Sequence, residues 1–110
     1  MSVFSPKKVA VLGAGVMGRQ IACDLGDKGF FVTLFDLPGN AQRAMATAVK
    51  DGLCTLTGSR RVTPVDMVPE NHRLLGEADW IVEAVFEDTA EDKLRVYPHE
   101  VQWIHRIPTA

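Results

Sequence analysis

Nowhere in this sequence does an apolar run approach the ~18 residues that a membrane-spanning helix needs, so none of its 110 residues reads as a helical membrane span. The first ten, MSVFSPKKVA, also lack an apolar signal region. Cysteine is scarce. Cys23 and Cys54 lie far apart with no C-x-x-C between them, which removes a zinc site and a disulfide framework. They read as free thiols of a reducing compartment, and the expected location is the cytoplasm. Neither sign of charge dominates: 12 basic residues against 14 acidic ones leave a net charge of −2. That balance gives no basis for binding nucleic acid or an anionic membrane surface. Lys7-Lys8 and Arg60-Arg61 are the extent of basic clustering, and both read as solvated surface. Internal repeats and low-complexity segments are missing as well. What remains is a single soluble domain of ordinary globular composition, 46% hydrophobic and 24% charged.

The informative stretch begins at Val9. Val9-Ala10-Val11-Leu12-Gly13 reads as a short buried strand, and Gly13-Ala14-Gly15-Val16-Met17-Gly18 fits G-x-G-x-x-G. A helical pattern follows at once. Strand, glycine turn and helix form the context in which this pattern binds a dinucleotide. Gly13 allows the tight turn, Gly15 lets a pyrophosphate approach the backbone, and Gly18 lets helix and strand pack closely. The helix N-terminus offers unpaired N–H groups and partial positive charge to the phosphates. Met17, Ile21 and Leu25, four residues apart, form the expected apolar face of this helix, which stops at Gly29. Gly26, in the last turn, is unfavourable by about 1 kcal/mol relative to alanine.

Residues 30–35 read as a second strand, continuously apolar like strands of a parallel sheet covered on both faces. The strand ends in Asp36, eighteen residues beyond Gly18, near the separation at which an acid meets the adenosine ribose. A carboxylate accepts from both ribose hydroxyls and repels a 2′-phosphate, and no arginine follows until Arg43. The expected cofactor is therefore NAD rather than NADP. Leu37-Pro38-Gly39-Asn40 reads as a turn, with Asn40 the N-cap of a helix to about Asp51. Ala41, Ala44, Met45, Ala48 and Val49 give that helix a narrow apolar face, and Gly52 closes it. Residues 53–71 read mostly as loop, with Arg61-Val62-Thr63 a candidate third strand and a little helix from Pro69 to Leu75. Residues 79–86 form another clear strand, with Glu87 and Asp88 at its carboxyl end. Thr89 caps a following helix with Leu94, Tyr97, Val101 and Ile104 on its apolar face, and Pro98 kinks it. The alternation predicts an α/β fold, a Rossmann-type doubly wound parallel sheet in the order 3-2-1-4 that is incomplete at its C-terminal half.

VAVLGAGVMGRQIACDLGDKGFFVTLFD, followed later by EADWIVEAVFED, resembles the NAD-binding domain of the 3-hydroxyacyl-CoA dehydrogenases. The acidic strand D-W-I-V-E-A-V-F-E separates that family from other Rossmann dehydrogenases. The resemblance is strong over residues 7–36 and 77–88 and faint between 37 and 76. It implies that Gly13, Ala14, Gly15, Val16, Met17 and Gly18 line the pyrophosphate and that Asp36 meets the adenosine ribose. It also implies that Ala84 and Val85 lie near the adenine side and Glu87 near the nicotinamide ribose. The family has a lysine five residues after that Glu. Here Asp92 stands at that place and Lys93 one position later, about 100° around a helix. Lys93 is the candidate for the contact.

The family continues with a fifth strand, a catalytic His held by a Glu, and a helical domain for dimerisation and substrate. The sequence stops before that continuation, as a natural truncation, a frameshifted end or an excised piece would. His72, His99 and His105 match no catalytic position, so no catalytic residue and no metal site is assigned. The expectation is one NAD-binding domain over residues 1–110 without the C-terminal helical domain, an oxidoreductase portion inactive alone. Acyl-CoA would be a partner only of the full-length parent, and fatty-acid metabolism is implied by the family name alone. Two rival readings stand beside it. One is a non-catalytic nucleotide-binding or oligomerisation module, homo-oligomeric through the open edge of the strand at 80–86. The other is part of a hydroxyisobutyrate-type dehydrogenase, which shares a G-x-G-x-M-G start.

Overall fold

The structure, a computed structural model, describes residues 7–84. In chain order it contains β1 (Lys8–Leu12), α1 (Val16–Asp27), β2 (Phe31–Asp36), α2 (Asn40–Lys50), α3 (Leu56–Ser59), β3 (Val62–Asp66), a 3₁₀ turn (Pro69–Asn71), α4 (Arg73–Gly76) and β4 (Trp80–Glu83). The strands are all parallel and lie in the order β3-β2-β1-β4, as the alternation predicts. Leu12 stands opposite Phe35 on one side and Glu83 on the other, while Asp36 stands opposite Asp66. The carboxyl ends therefore share one rim, with the glycine turn above the central strand.

Alternation along each strand sends successive side chains to opposite faces. Val9, Val11, Val32, Leu34, Val62 and Val82 form one buried face against α1 and α2. Ala10, Leu12, Phe35 and Val65 form the other, joined by Met67 and Leu75. Coverage of β2 is less complete than its apolar run suggests. Phe31, at its start, is 60% exposed, because among the described residues only the short connection through α4 packs against that face. Pro64 sits within β3, where the missing N–H is tolerated because β3 pairs with β2 alone among the described strands.

The buried stripe of α1 is Gly18, Ala22, Cys23 and Gly26, not Met17, Ile21 and Leu25. Met17 is 65% exposed, and Ile21 and Leu25 pack only at the margin of the core. The helix lies so close to its neighbours that small residues alone fit beneath it. A Cβ on Gly18 would overlap the Gly13 carbonyl oxygen, and one on Gly26 would lie 2.6 Å from the Gly58 carbonyl oxygen. The helix penalty of Gly26 is thus offset by its contact with α3. That short helix falls where the sequence reads as loop. Its cap, Thr55, accepts from the Gly58 N–H at 2.8 Å and donates its own N–H and hydroxyl to Asp27 Oδ1 at 3.2 and 2.8 Å. Tertiary contact with α1 defines α3 more than local pattern does.

Two further contacts tie distant segments together. Cys23 and Cys54 are free and buried and meet within the core. Burial first, then the hydrogen bond and proximity of Cys54, push the Cys23 thiol up to about 12, so it is protonated and inert at neutral pH. At the start of the β1–β4 pair, the N–H groups of Lys7 and Lys8 donate to Asp79 Oδ2 at 3.0 and 3.1 Å, and the Asp79 N–H donates to the Lys8 carbonyl at 2.8 Å. Those two backbone donors hold the Asp79 carboxyl below its ordinary value.

Candidate functional site

The chain leaves β1 at Gly13 with φ of 105°, a region that favours glycine. The Gly13 N–H donates to the Phe35 carbonyl at 2.8 Å, and the Ala14 N–H donates to Asp36 Oδ2 at 2.7 Å. On the other side, the Ala84 N–H donates to the Leu12 carbonyl at 2.8 Å. The turn is therefore fastened to both neighbouring strands before α1 begins.

Gly15 is the N-cap of α1, with φ of −70° and ψ of −165°. This is extended backbone that any residue adopts. A Cβ at this position would meet no atom of the described residues within 4 Å, its two chain neighbours apart. Neither conformation nor packing among the described residues therefore accounts for glycine at 15; the space it leaves is open among them. The first N–H groups of α1 have no partner within the helix, and its first turn carries no acidic residue to offset their partial positive charge. Val16, 75% exposed, and Met17 flank this opening.

Asp36 stands half-buried beside the turn. Its Oδ2 accepts from Ala14, while its Oδ1 accepts from the Leu37 N–H at 2.6 Å and from Asn40 Nδ2 at 3.2 Å. The expected capping role of Asn40 gives way to this one. The N-cap of α2 is Gly39, with φ of 82°, whose N–H donates to Asp66 Oδ1 at 2.9 Å. Asn40 is already the first helical residue, and its side chain bridges Asp36 and Arg43, accepting from Arg43 Nη2. An open cleft of about 280 Å³ lies over this arrangement, lined by Ala14, Gly15, Arg19, Asp36, Asn40 and Arg43 among others. Distance along the chain sets Arg43 aside in the sequence; α2 winds it round to the same cleft. Arg19, Asn40, Arg43, Ala44 and Thr47 are the cleft residues that sequence reasoning missed. The signal was helical spacing: Arg19 stands four residues after Gly15, the cap of α1, and Arg43, Ala44 and Thr47 stand three, four and seven after Asn40 on α2.

Of the predicted cofactor residues, Ala14, Gly15 and Asp36 line the cleft; Gly13 and Gly18 pack against each other beneath the turn, and Val16 and Met17 are exposed at the start of α1. Ala84 sits on the β4 side of the turn, its Cβ within 3.5 Å of where a Gly18 Cβ would stand. It is not among the residues lining the cleft. Val85, Glu87 and Lys93 lie outside the described residues. A second hollow of about 220 Å³ opens among Lys8, Phe31, Thr33, Arg61, Leu74 and Glu77, away from the glycine turn and Asp36. Among the described residues no group of three or more His, Cys, Asp or Glu could hold a metal ion, and no helix is long and apolar enough to cross a membrane. Chemically, the cleft offers N–H donors and a helix N-terminus to a diphosphate, and carboxylate oxygens to a neighbouring diol.

A family model described as "3-hydroxyacyl-CoA dehydrogenase, NAD binding domain" matches residues 8–102. A probable 3-hydroxyacyl-CoA dehydrogenase of Bacillus subtilis is 31% identical over 74% of this chain and 13% of its own length. One from Deinococcus radiodurans is 32% identical over 74% of this chain and 26% of its own. The crystal structure of 3-hydroxybutyryl-CoA dehydrogenase from Escherichia coli superposes with a TM-score of 0.62 at 27% identity, covering 84% of this chain and 21% of that one. The chain therefore spans about a quarter or less of the length of these relatives.

Proposed function

The chain belongs to the family of 3-hydroxyacyl-CoA dehydrogenase NAD-binding domains, and from that premise we propose that residues 13–18 and Asp36 hold the diphosphate and adenosine ribose of NAD. The observation that carries this reading is Gly15, a glycine that neither its backbone conformation nor packing among the described residues requires. The space that a Cβ would fill lies at the N-terminus of a 12-residue helix, where a diphosphate is stabilised by N–H donors and partial charge. One strand away, Asp36 is held in place by three N–H donors. Carboxylate oxygens keep acceptor capacity after such bonds, and the ribose hydroxyls are matched donors.

When bound, NAD supplies a hydride acceptor at its nicotinamide ring. The protein's part is binding and orientation. We assign the chain to the cofactor-holding part of an oxidoreductase that exchanges hydride between a 3-hydroxyacyl-CoA and NAD. His72, the one histidine of the described residues, does not line the cleft, and no proton-transferring role is assigned to it. Two buried, unbridged thiols agree with a reducing compartment such as the cytoplasm.

Titration of the purified 110-residue protein with NADH, followed by nicotinamide fluorescence, tests the assignment. Saturable binding is expected, weakened about tenfold or more in Asp36→Ala, the loss of hydrogen bonds to a charged group. The same preparation given acetoacetyl-CoA and NADH should consume neither. Equal NADH affinity in the wild type and a folded Asp36→Ala protein would remove Asp36 from the site.

A further inference from the structure

Asp36 divides its hydrogen bonds unevenly between its two oxygens. Oδ1 accepts from the Leu37 N–H at 2.6 Å and from Asn40 Nδ2 at 3.2 Å, while Oδ2 accepts from the Ala14 N–H at 2.7 Å. An ionised carboxylate has about four lone-pair sites, two on each oxygen. Among the described residues, Oδ1 is therefore filled and Oδ2 keeps one site. A ribose diol brings two hydroxyls, one more than Asp36 takes with these bonds in place. Asn40 lines the same cleft, and its amide has a fixed sense. Arg43 has only N–H groups to give and Asp36 only oxygens to offer, so Oδ1 faces the guanidinium and Nδ2 the carboxylate. The guanidinium in turn lies against Gly39, where a Cβ would come within 2.7 Å of Nη1. Each end of the amide keeps one position open among the described residues, a second lone pair on Oδ1 and a second N–H on Nδ2.

Resting on the placement of the adenosine ribose at Asp36, we propose that the ribose diol is shared between two side chains. One hydroxyl donates to Asp36 Oδ2, the other is received by the Asn40 amide, and Arg43 is the positioning residue that fixes the sense of that amide. A hydroxyl both donates and accepts, and the open lone pair and open N–H of Asn40 offer it either bond. Asn40 stands four residues after Asp36, so the end of β2 and the first turn of α2 supply the two contacts together. A desolvated hydroxyl left without a partner is costly, and the amide removes that cost for the hydroxyl that Asp36 does not take.

The test titrates the 110-residue protein and its Asp36→Ala, Asn40→Ala and Arg43→Ala forms with NADH and with two analogues, one lacking the 2′ and one the 3′ hydroxyl of the adenosine ribose. Asn40→Ala is expected to weaken NADH about fivefold to tenfold. One analogue should bind wild type and Asn40→Ala within about twofold of each other, yet still lose affinity on Asp36→Ala. The other analogue should show the reverse pattern, because the two side chains answer to different hydroxyls. Arg43→Ala should follow the pattern of Asn40→Ala with a smaller loss; affinities equal to the wild type for all three ligands would overturn the role of Arg43. If Asp36→Ala and Asn40→Ala become silent with the same analogue, Asn40 acts only through Asp36 and the shared diol is overturned. NADH affinity unchanged by Asn40→Ala, or an equal loss for all three ligands, would overturn it too, and each of these results leaves the NAD site intact. Failure of NADH to bind the wild type would instead overturn the placement of the ribose on which the proposal rests.

Discussion

At Gly18 a Cβ would run into the carbonyl oxygen of Gly13, whereas at Gly15 it would enter open space. The two glycines belong to one motif but answer to different constraints, one internal and one external. Gly18→Ala has to push the backbone of α1 away from β1, and overpacking of this kind costs about 1–3 kcal/mol. Thermal unfolding of Gly18→Ala is expected to show that loss; a midpoint equal to the wild type would mean that the helix has room to move. The packing task of Gly18 was legible in the sequence because a motif fixes it by spacing. The task of Asn40 was not. Its cap propensity is a local preference, and the competing bonds to Asp36 and Arg43 form only when β2 and α2 come together.

Among the elements, β1 and β2 were legible because strands in a parallel sheet carry apolar runs that few other structures need. The helix α1 was legible in extent but not in orientation. Periodicity favours its large residues as the buried face, yet a helix that crosses a strand over glycine buries its small ones. The helix α3 and the full length of β3 were hidden within residues 53–71, since a four-residue helix held by Asp27 leaves little local signal. The attachment of β4 to β1 has its own pH dependence. Asp79 is exposed, but its ionised form accepts the Lys7 and Lys8 N–H groups in the folded state, which lowers its folded value. A lowered carboxyl contributes stability above its unfolded value, near 3.8, and loses it as pH falls through the folded one. Melting temperature measured against pH should therefore fall less steeply in acid for Asp79→Asn than for the wild type. Parallel curves for the two proteins would show that the Asp79 bonds add nothing to stability.

For the whole molecule, the strand order β3-β2-β1-β4 puts the glycine turn on the central strand, with Asp36 on one side and Ala84 on the other. This order followed from element alternation together with the dinucleotide-binding glycine motif, and it makes the rim a switch point, where open α/β sheets bind ligands. The charge of the cleft was not legible at that level, because Arg19 and Arg43 reach it from separate helices. The central claim is that the opening at Gly15 exists for a cofactor, and it separates from folding in one comparison. NADH affinity and ligand-free thermal stability are measured together for the wild type and Gly15→Ala. The open space and ordinary backbone at Gly15 predict an unchanged midpoint with NADH binding weakened about tenfold or more. Equal NADH affinity in the two proteins would contradict the site.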